Sequence, residues 1–93
     1  MSDSADPDPV RLWLVERDYD DRNLVTLVYA TPDGERYHQR EQSAHLLSQG
    51  DGVTAAINAD PGDLAAVGDE ATRERYASEA ERMRERHDPG DSV

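Results

Sequence analysis

Three histidines, His38, His45 and His87, are the side chains best suited to move a proton or hold a metal near neutral pH. Their spacing matches neither His-Glu-x-x-His nor His-x₃-His, the arrangements that put two imidazoles on one helical face, so no zinc site is assigned. Glu16, Asp18, Asp20 and Asp21 offer carboxylates suited to a hard cation. An EF-hand loop starting there would need Gly at its sixth position and Glu at its twelfth, where this chain has Asn23 and Tyr29, and the bland reading is a solvated acidic loop. Ser43, Ser48 and Ser78 stand in no Gly-x-Ser-x-Gly elbow. Gly50-Asp51-Gly52 reads as a turn, since no Lys or glycine-rich helix start makes it a phosphate loop. With no Cys in the chain, thiolate chemistry and disulfides are excluded. The residues therefore assign no catalytic group, no metal and no cofactor.

Two sets remain. Tyr29, Tyr37 and His38 fall on adjacent strand-like segments and could line a small-molecule or metal-binding site on a sheet face left uncovered. Arg73, Arg75, Arg82, Arg84 and Arg86 fall on one helical segment and could form a contact band for a protein or a phosphate group. The bland alternative for the arginines is that their stems cover apolar surface while their heads pair with neighbouring glutamates.

The elements that would position these groups follow from apolar spacing. Val10 to Glu16 carries Leu12, Trp13, Leu14 and Val15, a run too short for an ordinary helix and rich in strand formers. Asn23 to Thr31 is nearly continuous in apolar and β-branched residues, which predicts a central strand. Thr31-Pro32-Asp33-Gly34-Glu35 predicts a hairpin turn, because Pro presets the first turn position and Gly accepts a left-handed one. Pairing Thr31 with Glu35 would set Tyr29 opposite Tyr37 and Leu27 opposite Gln39, with a third strand running from Glu35 to about Gln42. Residues 43–50 suit either a strand continuation or a short helical turn. Val53, Ala55, Ile57 and Ala59 alternate with less apolar neighbours and predict a fourth strand, whose small residues invite close packing.

Asp60-Pro61-Gly62-Asp63 predicts a helical turn over Leu64 to Val67, ended by Gly68. Asp69 then caps a helix from Glu70 to about His87, stopped at Asp88-Pro89-Gly90. Its stripe of Thr72, Tyr76, Ala80, Met83 and His87 should face the sheet. The expected fold is α+β: an antiparallel sheet of about four strands, a meander with a Pro-Asp-Gly hairpin, packed against one long C-terminal helix. One domain is expected over residues 10–88, between disordered tails at 1–9 and 89–93.

Charge sets the solvent. Among 93 residues, 21 acids face 10 bases for a net charge of −11; every base is Arg, and no Phe is present. Such a balance marks either an acidic chain that mimics nucleic acid or is disordered, or adaptation to high salt, and the clear strand and helix periods favour the second. In molar salt the Debye length is roughly 3 Å, so repulsion between surface carboxylates is screened. Attraction to nucleic acid is disfavoured by the net charge. No secretory leader or membrane-length apolar run is seen, which makes cytoplasm the expectation. A thin core and exposed strand edges lead us to expect a homodimer or another protein partner and a non-enzymatic interaction or regulatory role.

Several segments taken together, Leu14-Val15-Glu16-Arg17, Tyr29 to Tyr37, Thr54-Ala55-Ala56, Thr72 to Ala80 and His87-Asp88-Pro89, carry a resemblance. They are similar to a group of small uncharacterised acidic proteins of salt-loving archaea. The resemblance implies salt adaptation and one domain, and brings no activity or site residue with it.

Overall fold

The computed structural model describes residues 8–49 and 52–93. Residues 1–7 of the expected tail at 1–9 and the Gly50-Asp51 part of the expected turn lie outside the described residues. Three long strands come first: β1 (Val10–Tyr19), β2 (Leu24–Ala30) and β3 (Arg36–Ser43). The helix α1 (Ala44–Gln49) follows at once, so the ambiguous segment after β3 is helical. Next come β4 (Ala56–Ala59), a 3₁₀ turn at Pro61–Asp63, β5 (Ala65–Ala66) and the long helix α2 (Glu70–Arg86). The antiparallel sheet has the order β4-β1-β2-β3-β5, five strands rather than about four.

The fifth strand corrects the expectation of a helical turn over Leu64 to Val67. Pro61 does open a turn, but it closes within Pro61–Asp63, where Leu64 N–H reaches the Pro61 carbonyl. The chain then runs extended along the outer edge of β3, with Ala65 opposite Tyr37 and Ala66 opposite Arg36.

The hairpin between β2 and β3 forms where the Pro-Asp-Gly signal predicts, with a register one residue from the expected one. Thr31 N–H donates to the Arg36 carbonyl at 3.0 Å, so the loop holds four residues. Asp33 makes the longer loop stable: its carboxylate accepts from the Thr31 hydroxyl at 2.6 Å and from the Glu35 N–H at 3.0 Å. Tyr37 therefore stands opposite Ala30, and Tyr29 stands opposite His38. Because side chains alternate across a sheet, the slip of one residue sends Tyr29 and Tyr37 to opposite faces.

Both faces of the sheet are covered. On one, Trp13 packs with Ala55, Ala56 and Ala80, and Val28 and Ala30 pack with Val67 and Tyr76. The small residues at 55, 56 and 80 let α2 and the approach to β4 close around the single indole. On the other face, Leu12, Leu14, Val25, Leu27 and Tyr29 form the main cluster, joined by Val53, Leu64 and the α1 residues Ala44 and Leu47. The expected uncovered face is thus filled by the chain itself.

A bulge in β1 sorts the residues beyond it. Leu14 pairs with Tyr29 but Glu16 pairs with Val28, leaving Val15 as the extra residue. Glu16 is thereby turned toward α2, where Arg75 meets it at 3.2 Å, and Arg17 is turned to the opposite face.

Asp69 caps α2 as expected, accepting from the Thr72 N–H and hydroxyl, each at 2.8 Å. The helix ends when His87 turns extended while its N–H still reaches Met83. Residues 89–93, expected to be a disordered tail, return to the sheet instead. Ala56 N–H bonds Pro89, Ala55 N–H bonds Asp91 and Val93 N–H bonds Val53, with Ser92 opposite Thr54. Backbone bonds hold this otherwise polar segment, and the Val93 side chain adds packing against the core on both sides.

Candidate functional site

Tyr29, Tyr37 and His38 are not assembled into one site. Tyr29 is only 2% exposed, at the centre of the cluster beneath α1, and its hydroxyl donates to the Thr54 carbonyl at 3.0 Å. Burial pushes its phenol above the ordinary value, with the charges of Arg40 and Arg17 pulling the other way. His38 lies beside it on the same face, and its Nδ1 is 3.3 Å from the Asp63 carbonyl. Tyr37 lies on the other face and meets Tyr76 of α2 edge to face, with ring centroids 6.4 Å apart.

The arginines of α2 mostly have local partners. Arg73 donates to the Val67 carbonyl at 3.0 Å and so ties the start of the helix to the strand before it. Arg75 pairs with Glu16 and lies 5.3 Å from the centroid of the Tyr76 ring. Arg82 is 3.8 Å from Glu79, and Arg84 is 2.9 Å from Glu81. Arg86 borders a shallow hollow with Arg82, Met83 and His87. Beside these partners the side chains of Arg75, Arg82 and Arg84 remain exposed along the helix.

The acidic loop is likewise engaged with itself. Asp20 accepts from the N–H groups of Arg22 and Leu24 and pairs with the Arg22 guanidinium at 3.0 Å. Its carboxyl sits below the usual range, chiefly because of those Arg22 contacts. Among the described residues no group of three or more His, Asp and Glu converges to hold a metal ion.

Sequence reasoning missed β3 as the basic element. Arg36, His38 and Arg40 alternate along it and so share one face. The Arg40 guanidinium lies 5.7 Å from the centroid of the Tyr29 ring, a cation held over an aromatic face. Arg17 of β1 joins the same face from across Leu27, and donates to the Val93 carbonyl at 3.1 Å. The alternation of bases at period two was the signal for β3; Arg17 joins only because of the bulge.

Two open clefts lie near these elements. One, of about 270 Å³, lies between the hairpin tip and α2 and is lined by Asp33, Glu35, Glu70, Arg73 and Glu74. The other, of about 240 Å³, lies beside α1, with Arg17, Tyr19, Leu47, Val53 and Val93 among its walls. No helix among the described residues is long and apolar enough to cross a membrane.

The model of a family of unknown function, DUF7967, matches residues 6–93, and the chain belongs to that family. No curated protein and no solved structure matches it.

Proposed function

We propose that this member of a family without an assigned activity is a non-enzymatic protein-interaction or regulatory domain of a salt-adapted cytoplasm, and that it self-associates as a homodimer. The observation that carries the interaction reading is the outer edge of β3. The strand runs to Ser43, while β5 pairs with it only at Arg36 and Tyr37. An unfinished strand edge is a template for another chain. The salt-adapted part rests on the net charge of −11 and the use of Arg as the sole base.

The test is sedimentation of the fluorescently labelled chain in molar KCl, in buffer and in clarified extract of a salt-loving cell. A dimer mass in buffer and a larger species in extract are expected. A monomer mass under both conditions would remove the proposal.

A further inference from the structure

Hydrogen bonding along β3 decides which of its backbone groups are open. Thr31 and Arg36 form a bonded pair, and in an antiparallel ladder bonded and non-bonded pairs alternate. Arg36, His38 and Arg40 therefore bond inward to β2, and Tyr37, Gln39 and Glu41 turn their N–H and C=O groups outward. Tyr37 is taken up by Ala65, and the Glu35 carbonyl by the Val67 N–H. Gln39 and Glu41 have exposed side chains and no strand alongside them among the described residues.

The side chains flanking this open edge have a definite charge pattern. His38 and Arg40 lie on the α1 face, with successive same-face positions about 6.8 Å apart, and Glu41 lies on the α2 face. Arg22, Arg75, Arg82 and Arg84 each pair with a carboxylate, whereas no ion pair joins Arg36 or Arg40 to another described residue. In a chain that is acidic overall, this edge offers cations on one face and a carboxylate on the other.

We infer that the β3 edge at Gln39–Glu41 receives an extended acidic segment of another protein as an added strand, its carboxylates alternating with neutral residues. This deepens the interaction-domain reading above and rests on it. The main-chain groups of Gln39 and Glu41 supply the bonds. The partner residue opposite Arg40 occupies a non-bonded pair, the closer kind with Cα atoms about 4.5 Å apart, so a carboxylate there meets the guanidinium directly. Acids on every position are rejected, because half of them would face Glu41.

The probe is a capped seven-residue peptide, Thr-Glu-Thr-Glu-Thr-Glu-Thr, added to the full chain in molar KCl, with amide exchange followed residue by residue by NMR. Slowed exchange at Gln39 and Glu41, with Arg40 unchanged, is expected. Arg40→Glu should weaken binding about fivefold, the effect of exchanging one or two cross-strand charge pairs. The same variant should then prefer a Thr-Lys peptide of equal length. Gln39→Pro removes an outward N–H at an edge position that tolerates Pro, and should abolish binding with the circular dichroism unchanged.

Unchanged exchange at Gln39 and Glu41 at millimolar peptide overturns the inference, as does binding indifferent to Arg40→Glu. Protection of the two amides that rises with protein concentration and without peptide also overturns it, assigning the edge to a second copy. If the peptide fails while the chain still sediments as a larger species in extract, only the edge assignment falls. A monomer mass in both buffer and extract removes the broader reading as well.

Discussion

The two turns that bracket β2 use the same local chemistry under opposite tertiary conditions. At each, one Asp carboxylate gathers the loop: Asp20 binds the N–H groups of Arg22 and Leu24, and Asp33 binds the Thr31 hydroxyl and the Glu35 N–H. Each contains one left-handed residue, Asn23 with φ 68° and Gly34 with φ 75°. Asn23 is exposed, its N–H donating to the Asp20 carbonyl at 3.1 Å and its carbonyl accepting from the Ala44 N–H at the start of α1. Gly34 is buried against α2, where a Cβ would overlap the Arg73 carbonyl oxygen and lie 2.8 Å from the Ala77 nitrogen. Asn suffices where only the backbone conformation is demanded; Gly is required where a helix backbone also occupies the side-chain space.

Salt removal should widen this difference most. The docked tip brings Asp33 and Glu35 beside Glu70 and Glu74, with Arg73 the one base lining that cleft. The other turn pairs Asp20 with Arg22. Lowering salt from 1 M to 0.01 M extends the Debye length from roughly 3 to about 30 Å. Dialysis into millimolar buffer is therefore expected to unfold much of the protein, reversibly on return to molar KCl, as read by circular dichroism. At intermediate salt, amide exchange at Val67, bonded to Glu35, should accelerate before that at Asp20, bonded to Leu24. A urea midpoint constant across this range, or the reverse order of exchange, would break the comparison.

Substitution at the two left-handed residues comes next in size. Gly34→Ala combines overpacking with a disfavoured φ and should destabilise by about 3 kcal/mol or more, a large share of an ordinary domain's stability. Asn23→Ala meets only the conformational penalty and should cost about 1 kcal/mol. Gly34→Asn separates the two effects. Asn tolerates the left-handed region but still carries a Cβ, so this variant should be nearly as unstable as Gly34→Ala in urea titrations at molar KCl. Recovery of wild-type stability by Asn would mean that the helix yields and that packing does not distinguish the turns.

How far this contrast could be read in advance depends on what each feature is made of. The Pro-Asp-Gly hairpin, the Asp69 cap, the first three strands and the long helix are written in side-chain types and lie close to where the sequence places them. The fourth strand is shorter than expected, Ala56–Ala59 rather than from Val53, because the Val53 carbonyl and the Ala55 N–H bond to residues 93 and 91 instead. The loop of four residues was not legible, because Thr31 pairs with Arg36 through backbone atoms whose choice depends on Asp33 reaching two donors at once. The same holds for the bulge at Val15, for β5 and for residues 89–93, all of which are settled by main-chain bonds to a neighbour distant in sequence. For the candidate site, the alternation of Arg36, His38 and Arg40 was visible as a period of two. That Gln39 and Glu41 face outward was not, since it depends on the register.

Acid titration gives the smallest effect and compares the two carboxylates themselves. Both sit below the usual range. The Thr31 hydroxyl is the main cause for Asp33, followed by the Glu35 N–H, and the Arg22 N–H is the main cause for Asp20, followed by its guanidinium. A group whose folded value is depressed binds its proton more weakly in the folded chain than in the unfolded one. Its contribution is fully present above the unfolded value, near pH 4, and is lost as the pH falls through the lower folded value. The urea midpoint in molar KCl should therefore decline on acidification below about pH 4, and Asp33→Asn should flatten that decline. Asp20→Asn should flatten it less, because its carboxylate is held by N–H groups at 2.8 and 3.3 Å and by a guanidinium that salt screens, whereas the Thr31 hydroxyl lies only 2.6 Å from Asp33. A decline unchanged by Asp33→Asn would mean that the hydroxyl holds the protonated acid equally well. A greater effect from Asp20→Asn would make the exposed turn the more strongly held of the two.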